Sequence, residues 1–340
     1  MSKHHQNDEA GQRKKDHIEL TFSSQVMDNN ADPRFNYEPL LGDLKKVELK
    51  SEFLGTTFDH PIWISSMTGG AEKAQTININ LAKLCKKYGL GMGLGSCRQL
   101  LYDDKHLDDF DMRKHIGDRP LFANLGIAQL EMLVEGKQTC KITEIIDKLN
   151  ADGLIIHVNP MQEFMQPEGD KLQHSPITTI KRILDAIPTK IIIKEVGQGM
   201  GFESLKSLLT LPIAAIETAA YGGSNFAKLE LLRQKNEYAG QFSGFINVGH
   251  NAGEMVENIN FLKEELKKEV LCNNIIISGG IKSFLDGYYY IEKINMSSVY
   301  GMASQFLKYA LISYDVLDQF TEFHIEGLKM SKAFLRVKKN

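Results

Sequence analysis

Long apolar runs, paired cysteines and an excess of one charge are all missing from this sequence, and each absence removes a class of function. Nowhere do 18 apolar residues follow one another, so no membrane-spanning helix is expected. The start, Met1 to Lys15, is polar and charged and lacks the apolar stretch of a signal peptide, which predicts a chain that stays in the cytoplasm and binds no membrane. The four cysteines, Cys85, Cys97, Cys140 and Cys272, stand far apart without Cys-x-x-Cys spacing, so neither a zinc site nor a disulfide framework is expected. With 40 Lys+Arg against 43 Asp+Glu the net charge is −3, and no overall positive field exists to attract nucleic acid. Any anion site must therefore be local.

What is present is enough for a large core. At 340 residues and 42% apolar, the chain suits an α/β barrel standing as one domain, residues 13–340, behind a polar and disordered segment 1–12 that includes His4 and His5. From Ile62 onward, short β-rich runs alternate with helical patterns, as in parallel βα units. Strands are expected at 62–66, 91–95, 121–124, 154–158, 191–194, 214–217, 275–278 and 298–300. Between them the apolar period becomes helical: Ile142, Ile145, Ile146 and Leu149 share one face. Ser175-Pro176 reads as a helix start with a capping hydroxyl, carrying Ile177, Ile180, Ile183, Leu184 and Ile187, and Pro188 ends it. Eight evenly spaced strands point to a (β/α)8 TIM barrel, although an open doubly wound sheet shares the alternation. A ninth strand over 243–250 would spoil the count; its glycines favour a loop insertion instead. The apolar tail from Ser313 fits a C-terminal helix.

In a barrel the residues just past each strand converge on one site. Those positions are rich in polar groups here: Thr68, Ser96, Arg98, Asn124, His157, Asn159, Gln162, Glu163, Lys194, Ser224 and Ser304. Gly222-Gly223 and Gly279-Gly280, each beside a hydroxyl, leave backbone N–H groups free to approach a phosphate. Gly197, Gly199 and Gly201 do not keep the spacing of a dinucleotide loop. Lys194 closes the apolar run Ile191-Ile192-Ile193, and a buried ammonium needs an anionic partner; Glu195 points to the opposite face, so a ligand is expected to serve. Glu163 suits a hard cation such as Mg²⁺, which commonly takes one or two carboxylates with substrate phosphates.

Taken in order from residue 13 to residue 304, these motifs resemble the type 2 isopentenyl diphosphate isomerases, FMN-dependent barrels. The specific parts are Arg13-Lys14-x-x-His17, Met67-Thr68-Gly69-Gly70, His157-x-Asn159-Pro160-x-Gln162-Glu163 continuing to Gln166-Pro167-Glu168-Gly169-Asp170, and Lys194-Glu195-Val196-Gly197. The resemblance implies interconversion of isopentenyl and dimethylallyl diphosphates. It assigns Thr68, Ser96, Asn124, Lys194 and Ser224 to FMN, and Gly279, Gly280, Lys282, Ala303 and Ser304 to its phosphate. Arg13, Lys14, His17, Arg98, His157 and Asn159 would hold the prenyl diphosphate, Gln162 would lie beside the reacting alkene as the catalytic residue, and Glu163 would bind Mg²⁺. It further implies that reduced FMN is the acid and base, that NADPH primes it, and that the chain forms a homotetramer or larger.

Several positions depart from the family pattern. Cys97 stands where Gln is common, Ser224 replaces a Thr, Tyr221 occupies a normally slimmer loop, Asn247-Val248-Gly249-His250 replaces a Trp-Gly stretch, and Lys282 stands in for an Arg. Lys keeps the charge but loses the bidentate fork. Two rival readings remain at this point. Gly95-Ser96-Cys97 resembles the cysteine loop of IMP-dehydrogenase-like barrels, with Arg98 able to lower the thiol pKa. A flavin-binding barrel without turnover is the other.

Overall fold

The computed structural model describes the chain apart from residues 1, 2, 67, 69–72, 234–238, 339 and 340, and apart from the side chains of residues 3–10 and 239. Contacts divide it into two compact units, 1–37 with 336–340, and 38–335. In the smaller unit Lys3–Leu20 is a helix, where the composition had suggested disorder over 1–12. Its segment holds no proline, and i,i+4 pairs support it: Gln12 Nε2 donates to Asp16 at 2.6 Å, and Lys15 lies 3.9 Å from Glu19. The chain then runs extended through Phe35–Tyr37, and Lys338 N donates to the Arg34 carbonyl at 2.9 Å.

The larger unit is built on eight parallel strands, β1 (Ile62–Ile64), β2 (Gly91–Gly93), β3 (Leu121–Gly126), β4 (Gly153–His157), β5 (Lys190–Lys194), β6 (Ala215–Glu217), β7 (Asn274–Ser278) and β8 (Ser297–Met302). Each pairs with the next, and β8 pairs with β1, so the sheet closes as a barrel. Closure settles the choice against an open doubly wound sheet. Residues 239–247 form a 3-10 helix, so the insertion reading holds there and no ninth strand forms.

The expected helix stripes are the buried faces: Ile142, Ile145 and Ile146 of Cys140–Lys148, and Met255, Val256, Ile259, Leu262 and Leu266 of Ala252–Leu266. Helix Pro176–Ala186 starts and stops as its prolines require, but the Ser175 hydroxyl pairs with Thr178 Oγ1 at 2.8 Å rather than capping a backbone N–H. The tail folds as helix Tyr314–Phe334, burying Leu317, Ile325 and Leu328. His324 on that helix meets Tyr300 OH through Nε2 at 2.8 Å in a buried pair.

One element has no plain signal in the sequence. Ser51–Phe53 and Thr56–Phe58 form an antiparallel hairpin whose turn places Leu54 at φ 55° and Gly55 at φ 76°. Phe53, Leu54 and Phe58 join one buried cluster with Trp63, Phe122, Ile155, Ile192, Ala215, Ile276 and Val299. The hairpin thus plugs the N-terminal end of the barrel, and the core occupies its interior.

Candidate active site

Above that plug the barrel interior turns polar within one layer. In an extended strand the residue two positions on points to the same face. Two positions on from Trp63, Phe122, Ile155, Ile192, Ala215, Ile276 and Val299 stand Ser65, Asn124, His157, Lys194, Glu217, Ser278 and Gly301, while β2 contributes Gly93. Register sets His157 beside Lys194 and Lys194 beside Glu217. The sequence reading singled out Asn124, His157 and Lys194 in this ring and missed Glu217.

Asn124 donates its Nδ2 to the Leu94 carbonyl at 3.0 Å, which leaves its Oδ1 to accept from His157 Nδ1 at 2.7 Å. This assigns the proton to Nδ1 and a lone pair to Nε2. Burial, aided by the neighbouring Lys194 charge, pulls the His157 pKa down to about 3. The ring is therefore neutral near pH 7 and accepts or donates hydrogen bonds without carrying charge.

Lys194 is buried, donates to the Glu195 carbonyl at 2.8 Å, and makes no ion pair among the described residues. Glu195 does face away, as expected, but its carboxylate has a structural task. It accepts from the backbone N–H groups of Gly197, Gln198 and Gly199 at 2.7, 2.6 and 3.0 Å. Burial still raises its pKa above the ordinary carboxylate range. Gln198 then donates its side-chain amide to the Phe245 and Val248 carbonyls at 3.0 and 2.7 Å, and His250 N donates to Gln198 O at 2.8 Å. The Asn247-to-His250 departure thereby ties the loop after β6 to the loop after β5.

The loop after β4 is fixed on several sides. Asn159 Nδ2 donates to Gln162 Oε1 at 3.0 Å and to Glu163 Oε1 at 3.1 Å, and Glu163 Oε2 accepts from Asp170 N at 2.9 Å. Gln162 Nε2 donates to Glu230 Oε1 at 3.0 Å, and Arg233 spans Glu230 and Glu168 at 2.5 and 2.7 Å. Arg98 pairs with Asp170 at 3.1 Å, beside Gln129 Nε2 at 3.1 Å. Glu230 and Arg233 were not singled out from sequence; a glutamate only 2% exposed on helix Phe226–Arg233 is the signal of their role, and it is a structural one.

Across the mouth, the loops after β6 and β7 meet backbone to backbone. Gly279 and Gly280 sit at φ 85° and 75°, and a Cβ on Gly279 would collide with the backbone N and O of Ala220. Gly222 lies against Gly280, and Gly223 against Gly280 N. The N-terminus of helix Phe284–Lys293 follows directly, closed by a Ser283/Asp286 capping box, with Lys282 exposed beside it. Ala303 and the exposed Ser304 open helix Ser304–Ala310. The two helices thus begin just past the paired ends of the adjacent strands β7 and β8, where Ser278 lies beside Gly301.

Thr68, Ser96 and Ser224 stand in the loops that follow β1, β2 and β6, Thr68 half-buried and the two serines exposed. Gly95 runs so close to the Thr68 backbone that a side chain there would clash. Met67, Gly69 and Gly70 lie outside the described residues, as do the side chains of His4 and His5. Arg13, Lys14 and His17 are exposed on the helix of the smaller unit, with Arg13 and His17 one turn apart.

Cys97 corrects the dehydrogenase-like alternative. Its thiol is buried, sits 3.4 Å from the Gly95 carbonyl, and is pushed up to about 12 by desolvation, while Arg98 is committed to Asp170. A thiol so protonated is no nucleophile at neutral pH.

No family model matches the chain. Among solved structures the fold resembles a mutant flavocytochrome b2 with pyruvate bound, at TM-score 0.61 and 14% identity over 87% of this chain and 70% of that one. It also resembles a mandelate oxidase mutant with a monooxide FMN adduct, at TM-score 0.54 and 12% identity over 90% and 88%. Similarity in sequence is closer elsewhere. An isopentenyl-diphosphate delta-isomerase of Rickettsia bellii is 34% identical over 335 residues, 94% of this chain and 92% of the relative. That of Rickettsia felis is 34% identical over 334 residues, covering 94% and 91%. Relatedness of that extent, along nearly the whole of both chains, makes this chain a member of the isopentenyl-diphosphate delta-isomerase family.

Proposed function

We propose that the protein interconverts isopentenyl and dimethylallyl diphosphates on reduced FMN, with Mg²⁺ on the diphosphate. The observation that carries this reading is where buried polar atoms lack partners. Of the seven buried side-chain polar atoms without a hydrogen-bond partner among the described residues, four, Ser65 Oγ, Ser66 Oγ, Asn159 Oδ1 and Glu217 Oε2, lie at the C-terminal ends of barrel strands; Ser51 Oγ, Trp63 Nε1 and Thr179 Oγ1 lie elsewhere. Orphaned polar atoms are costly, and a polar ligand at that mouth satisfies them. The tight Gly222-Gly223 and Gly279-Gly280 contact, beside a helix N-terminus, fits a flavin phosphate on the far side.

Moving a double bond requires one proton added to carbon and another removed. Bound reduced FMN supplies that acid–base chemistry, primed by NADPH. The chain's own residues bind and orient. Thr68, Ser96, Asn124, Lys194 and Ser224 would contact the flavin, and Gly279, Gly280, Lys282, Ala303 and Ser304 would hold its phosphate. Arg13, Lys14, His17, Arg98, His157 and Asn159 neutralise or hydrogen-bond the diphosphate, and Gln162 presents its amide to the alkene. His157 contributes as a neutral hydrogen-bonding ring, consistent with its depressed pKa. Glu163 meets Mg²⁺ with the diphosphate; no group of three or more metal-ligating side chains exists among the described residues, so the phosphates complete the site. A homotetramer or larger assembly in the cytoplasm completes the proposal.

The test is an anaerobic assay of purified protein with FMN, NADPH, Mg²⁺ and isopentenyl diphosphate. Dimethylallyl diphosphate that vanishes when flavin is omitted or left oxidised is the expected result. Bound flavin without product would favour a barrel that holds the cofactor but does not turn over.

A further inference from the structure

The single ammonium in the polar ring and the carboxylate beside it are each under-partnered. Lys194 is 8% exposed and, among the described residues, bonds only to the Glu195 carbonyl. Glu217 is 1% exposed; its Oε1 accepts from Ser278 Oγ at 3.1 Å and its Oε2 has no partner among the described residues. The Ser278 hydroxyl is itself held by Ala219 N at 3.0 Å, and Thr218 Oγ1 binds the Ser278 backbone on both sides, donating to its carbonyl at 2.7 Å and accepting from its N–H at 2.8 Å. The carboxylate is therefore fixed from the β7 side and open on the other.

On that other side stands β5. Lys194 and Glu217 are register partners on adjacent parallel strands and point to the same face, about 4.8 Å apart at the backbone. No other described group in the ring carries charge. His157, beyond Lys194, is neutral, and Glu195 faces outward with its carboxylate occupied by three amides. A buried charge without a counter-charge is strongly disfavoured, and Glu217 is the carboxylate that register sets beside Lys194 in the ring, although the two are not in ion-pair contact and the Lys194 charge also acts on Glu195.

We infer that Glu217 is the counter-charge of Lys194, a positioning residue that acts on the ammonium across the ring without direct contact and keeps the net charge of that barrel floor near zero. For the pair this follows from the protein alone; for its effect on a cofactor it rests on the FMN reading above. Were Glu217 neutral, the floor would carry one positive charge and would favour the more negative, reduced flavin over the oxidised form. A unit charge at ring-to-ligand distance is worth on the order of tenfold in that ratio.

Two experiments separate the halves. In the flavin-free protein, Lys194→Met, Glu217→Gln and the double variant are melted alongside wild type. Each single change is expected to lower the melting temperature, and the double variant to lose clearly less than the sum, since paired residues couple and independent ones add. Additive losses would overturn the pairing. Should Lys194→Met fail to fold, a folded double variant supports the pair and an unfolded one removes it. In the FMN-loaded protein, Glu217→Gln is expected to raise the reduced-to-oxidised affinity ratio about tenfold, a shift of about 30 mV for a two-electron couple. Glu217→Asp should keep the wild-type ratio. An unchanged ratio in Glu217→Gln would overturn the cofactor half, whereas failure of the wild type to bind FMN would sink the FMN reading and leave the melting cycle to decide on the pair.

Discussion

Gln162 Nε2 donates to Glu230 Oε1 across 68 residues of sequence, and Asn159 Nδ2 donates to Gln162 Oε1, so both ends of one amide are fixed before any ligand arrives. Such an amide cannot flip without breaking a hydrogen bond to a carboxylate only 2% exposed. Gln162→Ala should therefore keep flavin binding, read by the visible spectrum of the purified protein, and lose most of kcat. Turnover like that of wild type would remove Gln162 from the mechanism.

Glu230→Gln tests the same clamp from the other end. The substituted amide can donate as well as accept, so it no longer dictates which way Gln162 points. A fall in kcat of roughly tenfold is expected with flavin affinity unchanged, on the scale of one charged hydrogen bond at about 1.5–3 kcal/mol. Arg233 would also lose a partner, and Arg233→Lys separates the effects: a smaller loss there is the outcome that keeps Glu230 acting on Gln162.

The thiols give a cheap check on the corrected alternative. Cys140 is exposed, while Cys85, Cys97 and Cys272 are buried, the last two pushed up to about 12 and 11. Iodoacetamide on the native protein should label Cys140 alone, counted by mass spectrometry, and leave isomerase activity intact. Rapid loss of activity with label on Cys97 would bring back a thiol mechanism.

Much of this architecture could be read from sequence because burial writes itself into short apolar runs. Strands β1, β4, β5 and β7 fall where Ile and Leu cluster, whereas β2 is Gly-Met-Gly and β8 holds one Val, so the even spacing carries those; the polar residues that follow the strands are site candidates because strand ends converge in a barrel. Glu217 escaped notice because a glutamate closing Ala214-Ala215-Ile216 looks like any strand end until register sets it beside Lys194. Glu230 escaped because its partner is remote in sequence. The hairpin plug turns on Leu54, a residue type that rarely adopts positive φ, so no turn signal marked it. Residues 1–12 read as disordered because charge and low hydropathy dominate their composition, whereas Lys3–Leu20 forms a helix.

Acid should destabilise the protein through its buried imidazoles. His324 Nε2 shares a hydrogen bond with the Tyr300 hydroxyl in the core, and burial lowers its pKa from 6.5 to about 4. A lowered folded-state value means that protonation favours the unfolded chain. The contribution is intact above pH 6.5 and is lost as pH falls from 6.5 toward 4, reaching about 3 kcal/mol for this group. His157 and His60, lowered for the same reason, act in the same direction. Urea midpoints measured from pH 7 to 5 should fall, and His324→Phe should flatten part of that slope even though it leaves the Tyr300 hydroxyl unpaired. A slope unchanged by the substitution would assign the acid sensitivity to other groups.

Both oxygens of Glu163 already accept hydrogen bonds, from Asn159 Nδ2 and from Asp170 N. A carboxylate has further lone pairs to offer a cation, but one such group without neighbours is a weak Mg²⁺ site, and the diphosphate must supply the remaining oxygens. The protein alone should show no measurable Mg²⁺ binding by calorimetry, and binding should appear only with the diphosphate present. EDTA should abolish turnover and excess Mg²⁺ restore it. Glu163→Gln keeps the size and one acceptor while removing the charge, so it should raise KM for isopentenyl diphosphate more than it lowers kcat. Full activity in chelator would place the metal outside the reaction, and the Glu163 carboxylate would then serve only to hold Asp170 and, through it, the Arg98 pair.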